Sequence, residues 1–131
     1  MSEAEHVVSG LIEAVIDGDL DGVLSRVADD LVVNEPEGLT YGGIHRGKRA
    51  FQDDVIGAIY EKAAMRVASY RMLPAGDTVA VHMELVFTAN KTGKQLEMPY
   101  VELYTVTDGL VSSIDVYPKD TRKLRGFWDE N

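Results

Sequence analysis

The sequence predicts an α+β fold, in which a curved antiparallel sheet wraps around three N-terminal helices and forms a conical pocket. Apolar residues recur at helical spacing up to Tyr60 and alternate with a period of two from Ala64 onward. Turn-forming residues divide the second half into about four strands. Helices that precede an antiparallel meander are typical of the α+β class.

Three helices are predicted in the first half of the chain. In the first, Ser2 is a possible cap, and the apolar face consists of Val7, Val8, Leu11, Ile12, Val15 and Ile16. A shorter helix follows the Gly18-Asp19 interruption and repeats the same spacing from Leu20 to Val27. The third spans Lys48–Tyr60 and places Phe51 on its buried side.

The remaining segments are assigned as strands, loops and a tail. Leu31–Val33 is a short apolar run that favours a strand and ends before Pro36, and Gly38–Gly47 holds four glycines and predicts a loop. The four later strands are predicted at residues 65–73, 79–87, 96–106 and 111–117. Residues 119–131 form a charged tail, and residues 1–131 are interpreted as one domain.

Composition excludes several classes of protein. The chain has 22 acidic and 13 basic side chains and a formal net charge of −9. This balance argues against nucleic-acid partners and against an anionic membrane surface, because both require a basic face. Cysteine is absent and the three histidines lack metal-ligand spacing, so no metal and no cofactor are predicted. The N-terminus lacks a signal-peptide pattern, and a cytoplasmic location is expected.

Two glutamates stand out from the acidic surface. Glu102 lies on the otherwise apolar or aromatic face of its strand, which consists of Leu96, Met98, Tyr100, Glu102, Tyr104 and Val106. An ionised carboxyl on a dry face is costly, so Glu102 is interpreted as a pocket group, with a wet sheet rim or burial of the opposite face as alternatives. Glu35 ends the short strand beside the glycine loop, where it either meets a ligand or is an exposed loop charge.

The chain resembles the nuclear transport factor 2-like superfamily, in its SnoaL-like and ketosteroid-isomerase-like branch, over residues 3 to 118. The resemblance rests on the order of four short motifs. They are Gly18-Asp19-Leu20-Asp21-Gly22, Ala28-Asp29-Asp30, Val33-Asn34-Glu35-Pro36 and Gly42-Gly43-Ile44-His45-Arg46-Gly47. It implies a cystatin-like roll with an apolar conical pocket, and a homodimer through the outer sheet face.

The resemblance also implies roles for individual residues. Glu35 matches the general base of the steroid isomerases, and Glu102 matches a protonated acid that donates to the oxyanion. Leu11 stands where those enzymes have a donor tyrosine, so Tyr104 or Tyr100 is expected to supply the phenol. Glu35, Glu102 and Tyr104 are therefore the catalytic candidates. The expected ligand-binding set is Leu11, Val15, Tyr41, His45, Phe51, Tyr100, Ile114, Val116 and Asp120.

The functional prediction is a small apolar carbonyl-containing ligand held in the cone. The reaction would be a cofactor-free proton-transfer isomerisation or an aldol-type cyclisation. Alternatives are a non-catalytic small-molecule binding module and a dimerisation module of the same fold.

Overall fold

The computed structural model describes residues 1–131. Helix α1 (Glu3–Ile16) and helix α2 (Leu20–Leu24) are followed by strands β1 (Val27–Glu35) and β2 (Gly43–Arg46). Helix α3 then joins the α-helical segments Lys48–Ala50 and Gly57–Lys62 through a π-helical segment, Phe51–Ile56. The remaining elements are β3 (Ala63–Ala75), β4 (Thr78–Ala89), β5 (Gln95–Thr107), β6 (Leu110–Pro118) and helix α4 (Thr121–Glu130). None of the helices is long and apolar enough to cross a membrane.

The strands form one six-stranded sheet in the order β2-β1-β6-β5-β4-β3. The meander from β3 to β6 is antiparallel throughout, as the alternating sequence predicts. The sheet is mixed at one place, because β1 runs parallel to β6. The chain between these two strands passes through β2, α3 and strands β3 to β5 rather than through a hairpin. The predicted α+β class is confirmed.

Helix α1 is specified by the capping residues at its N-terminus and by an apolar face at helical spacing. The Ser2 side chain accepts from the Glu5 backbone N–H, and the Glu5 carboxyl accepts from the Ser2 N–H, which completes a capping box. The inward face buries Val8, Leu11 and Ile12 against the concave side of the sheet. The first predicted helix is therefore confirmed, and it covers the inner face of the central strands.

The glycine-rich segment 38–47 is not wholly a loop, since it contains β2, which pairs with β1. The first residue of this strand, Gly43, and the residue that follows it, Gly47, have positive φ angles of 89° and 96°. A side chain would be strained at both positions. Strand β1 is also longer than predicted, because Val27–Asp30 adds to the Leu31–Val33 core. The glycines therefore mark the two ends of an edge strand.

The C-terminal tail forms helix α4. Asp120 caps it by accepting from the Lys123 backbone N–H at 3.0 Å. Leu124 and Trp128, four residues apart, point inward and are buried. The helix therefore docks on the end of the sheet where β6 stops, rather than extending as a charged tail.

Candidate active site

A cavity of about 1200 Å³ lies between the concave face of the sheet, the second half of α1 and the inner side of α3. Its walls are mainly apolar, and they include Leu11, Phe51, Val55, Met83 and Ile114. The lining also includes exposed residues of the α1–α2 turn and of α3. Such a concave, largely apolar site with a few polar groups is typical of small-molecule binding.

Most of the side chains predicted for the site line this cavity. They are Leu11, Val15, Glu35, Tyr41, His45, Phe51, Glu102, Tyr104, Ile114 and Val116. Tyr100 and Asp120 are outside the lining. Asp120 is exposed and caps α4 instead, because its carboxyl is bonded to the backbone of the first turn of that helix. Tyr100 is buried, and its ring packs against Phe87 with the centroids 6.2 Å apart.

Glu102 faces the cavity from the middle of β5, where it is placed between Val81 of β4 and Val116 of β6. The alternation on β5 produces this orientation, since its neighbours on the same face, Tyr100 and Tyr104, are both buried. The Tyr104 hydroxyl donates to Glu102 Oε1 at 2.5 Å. Burial raises the pKa of Glu102, and this hydrogen bond lowers it in part because it favours the carboxylate.

Glu35 reaches the same cavity from the last position of β1, opposite Gly43 of β2. It is only 7% exposed and is the only charged residue among those that are buried. Its carboxyl forms no hydrogen bond with another side chain. Every fully buried side-chain oxygen of the protein has a hydrogen-bond partner, so the unpartnered oxygens of Glu35 are accessible from the cavity. Burial, and then the charge of Glu102, raise the pKa of Glu35 to about 8.

The two carboxyl groups lie at the same level of the sheet. Strand β6 separates β1 from β5, and Val116 of β6 pairs with Glu102 directly. The backbones of β1 and β5 are two strand spacings apart, about 10 Å. Both glutamate side chains extend into the same cavity, so their carboxyl groups are closer together than the backbones. The pKa of about 8 favours the protonated form of Glu35 near neutral pH. Glu102 differs from Glu35 in having a phenol donor that favours its charged form.

Three tyrosines surround the pair with neutral phenols. Burial and then the charge of Glu102 raise the pKa of Tyr104 well above its usual range. Burial and then the charge of Glu35 raise the pKa of Tyr41, and burial raises that of Tyr100 most strongly. All three therefore remain protonated and can act only as neutral hydrogen-bonding groups. His45 also lines the cavity, but its Nε2 already interacts with the Tyr41 carbonyl oxygen at 2.8 Å.

Two features of the site lie outside the predicted set of site residues. Trp128 of α4 lines the cavity. The spacing of Leu124, Phe127 and Trp128 indicates an amphipathic turn that covers the pocket mouth, docks on a partner subunit or packs as a simple C-terminus. The π-helical segment Phe51–Ile56 forms much of the wall opposite the sheet. It has no local sequence signature, because π-helical turns depend on packing. No group of three or more His, Asp or Glu side chains is placed to hold a metal ion.

Comparison with known proteins gives one family match. The family model described as a SnoaL-like domain matches residues 8–114. No curated protein matches the chain.

Solved structures match over nearly the whole chain at low identity. An NTF2-like protein of unknown function from Burkholderia pseudomallei has a TM-score of 0.88 and 23% identity, and the match covers 98% of each chain. TerC, co-crystallised with polyporic acid, has a TM-score of 0.86 and 21% identity, over 99% of this chain and 100% of that one. A candidate polyketide cyclase from Xanthomonas campestris has a TM-score of 0.79 and 19% identity, over 95% of each.

Proposed function

This chain belongs to the SnoaL-like domain family, and from that premise we propose that it is a proton-transfer enzyme. It binds a small, apolar, carbonyl-containing molecule in the cavity and isomerises or cyclises it without a cofactor. The observation that carries this proposal is the pair Glu35 and Glu102, two carboxyl groups of unequal environment in one apolar cavity. Pairs whose surroundings separate their pKa values are suited to divided acid and base roles.

The proposed step assigns the base to Glu102 and the acid to Glu35. The Glu102 carboxylate, held by the Tyr104 hydroxyl, takes a proton from the carbon next to the ligand carbonyl. The C–H electron pair forms the enol double bond, and the carbonyl oxygen takes the Glu35 proton. In a β,γ-unsaturated ketone the enol is a dienol. Return of the oxygen proton to Glu35 re-forms the carbonyl, the double bonds shift into conjugation, and the γ-carbon takes the proton from Glu102, which completes an isomerisation. General acid–base catalysis of this kind contributes about 10²–10⁴-fold.

Structural relatives support the ligand class. A candidate polyketide cyclase shares the fold, and TerC of the same fold was co-crystallised with polyporic acid. The cavity wall is mainly apolar, and Lys62 is the only lysine or arginine that lines it. Its Nζ donates to the Trp128 carbonyl oxygen. An uncharged ligand with one polar carbonyl end is therefore favoured over a carboxylate ligand, whose charge would oppose Glu102.

The proposal can be tested without knowing the natural substrate, by following proton exchange on a probe ketone. Acetophenone in D₂O exchanges its methyl protons, and ¹H NMR measures the rate with and without the protein. We expect acceleration by the wild type and a loss of about 10²-fold or more in Glu35→Gln, because the acid is removed. Glu37→Gln, a neighbouring exposed carboxyl, is the matched control and should retain the wild-type rate.

Two results would contradict the proposal. One is a wild-type rate equal to the buffer rate although acetophenone binds, which would favour a non-catalytic binding module. The other is an equal acceleration by Glu35→Gln and Glu37→Gln, which would remove Glu35 from the chemistry.

The outer face of the sheet supports a homodimer as part of the same proposal. Val101 and Leu103 of β5 are only half-buried there, and Val101 lies between His82 of β4 and Tyr117 of β6. Pairing two such faces would remove these apolar side chains from water. Light scattering during gel filtration should give twice the chain mass, and Val101→Lys should give the mass of one chain.

A further inference from the structure

We propose that Trp128 is a specificity-determining residue that limits the size of the ligand, as the end wall of the cavity contributed by α4. This inference rests on the proposed function, since it concerns the ligand of the same cavity. It goes beyond the family assignment because the matched range stops at residue 114. Helix α4, at Thr121–Glu130, lies wholly outside that range.

Trp128 lines the cavity and packs against the aromatic rings of Tyr41 and Phe87. The side chain is 2% exposed and lines the cavity. Its ring meets Tyr41 edge-on at 5.2 Å and Phe87 at 6.0 Å between centroids. Tyr41 also lines the cavity and feels the charge of Glu35. Trp128 therefore closes the cavity next to the side chains that surround the reacting carboxyls.

Contacts at several points hold this wall in place. Lys62, the last residue of α3, donates from Nζ to the Trp128 carbonyl oxygen at 3.1 Å. Arg125 donates from Nη1 to the Gly38 carbonyl oxygen at 2.5 Å. Leu124, one turn earlier, is fully buried. The indole ring is thus fixed by its helix, and a ligand that needs the space of the ring is excluded.

The fixed wall has a consequence for ligand size. Replacing the indole by a smaller side chain extends the cavity toward Phe87 without touching Glu35 or Glu102. The affinity for a longer ligand should then rise relative to that for a short one. A purely structural role of Trp128 would lower both affinities together.

The test compares two ketones that differ by one phenyl ring, acetophenone and 4-acetylbiphenyl, by calorimetric titration. We expect Trp128→Ala to shift the ratio of the two dissociation constants by tenfold or more toward 4-acetylbiphenyl, and Trp128→Phe to shift it less. Arg122→Ala is the control, because Arg122 lies exposed on the same helix and is outside the cavity lining. It should leave the ratio unchanged.

The wild type provides a second readout that needs no variant. Trp128 is the only tryptophan of the chain, so its emission reports directly on contact with a bound ketone. We expect saturating acetophenone to change that emission. Binding by calorimetry with unchanged emission, or an unchanged affinity ratio in folded Trp128→Phe, would overturn the inference while the proposed function stands. Failure of the wild type to bind either ketone would overturn both.

Discussion

The end of β1 and the middle of β5 place the same side chain, a glutamate, in one cavity but in different surroundings. Glu35 ends its strand opposite Gly43 of β2 and receives no side-chain hydrogen bond. Glu102 lies inside a paired strand and accepts from Tyr104. Burial raises the pKa of both, but only Glu102 has a donor that favours its charge.

The difference shows that a fold can give two residues of one type different electrostatic surroundings. A single phenol, two positions along the same strand, stabilises one carboxylate. That carboxylate in turn makes ionisation of the other less favourable. The proposed division of acid and base roles between the two glutamates rests on this difference.

The largest expected effect is on catalysis and its pH dependence. Glu102→Gln removes the base and should slow proton exchange on acetophenone by about 10²–10⁴-fold. In the wild type the rate should fall as pH rises through about 8, because Glu35 then loses the proton that it donates. A rate that rises as pH rises through about 8 would instead assign Glu35 as the base and contradict its proposed role as the acid.

The next largest effect is on stability. Glu35 has a folded pKa of about 8 and a reference value of 4.5. The folded state therefore binds the Glu35 proton more tightly than the unfolded state. The stabilisation that results is fully present below pH 4.5 and is lost as pH rises through 8. A shift of this size corresponds to on the order of 5 kcal/mol.

Urea unfolding at pH 5 and pH 8.5 measures this linkage. The free energy of unfolding of the wild type should be lower at pH 8.5, and Glu35→Gln should reduce that difference. Glu37→Gln serves as the exposed control and should behave as the wild type. The same pH dependence in all three proteins would mean that Glu35 is not a buried acid.

A smaller effect is expected from the phenol that distinguishes the two sites. Tyr104→Phe removes a hydrogen bond to a charged group, which contributes about 1.5–3 kcal/mol. The pKa of Glu102 should rise, so the low-pH limb of the exchange rate should move to higher pH while the limb near 8 remains. A profile that does not change would show that the Tyr104 hydroxyl has no influence on the base.

The smallest effect is expected at Asp120, a carboxyl outside the cavity. Asp120→Ala removes the cap of α4 and should cost about 1 kcal/mol of unfolding free energy. The loss should be similar at pH 5 and pH 8.5, in contrast to Glu35. Thermal unfolding of Asp120→Ala and Glu35→Gln at pH 5 and pH 8.5 measures whether the loss of stability depends on pH in each variant.

Sequence patterns predicted the sheet and the inward direction of Glu102 because both follow from a period of two. The residues on the Glu102 face of β5 are all buried apart from Glu102 itself, which faces the cavity. Glu35 was identified from its position at a strand end, and its burial agrees with the pocket interpretation rather than with an exposed loop charge.

Other features depend on contacts between distant segments, so local sequence alone does not place them in the fold. Strand β2 is four residues long and forms only because β1 offers an edge. Helix α4 depends on the burial of Leu124 and Trp128 against elements far away in the chain. The raised pKa of Glu35 depends on its burial and on the charge of Glu102 across the shared cavity, and both are tertiary features.

The most direct test of the account is a carboxyl ¹³C NMR titration of Glu35 and Glu102 in the wild type, with Glu35→Gln and Glu102→Gln for assignment. We predict that Glu35 titrates with a midpoint of about 8. In Glu102→Gln this midpoint should fall, because the neighbouring charge is removed. A Glu35 midpoint near 4.5, unchanged in Glu102→Gln, would contradict the division of acid and base between the two strands.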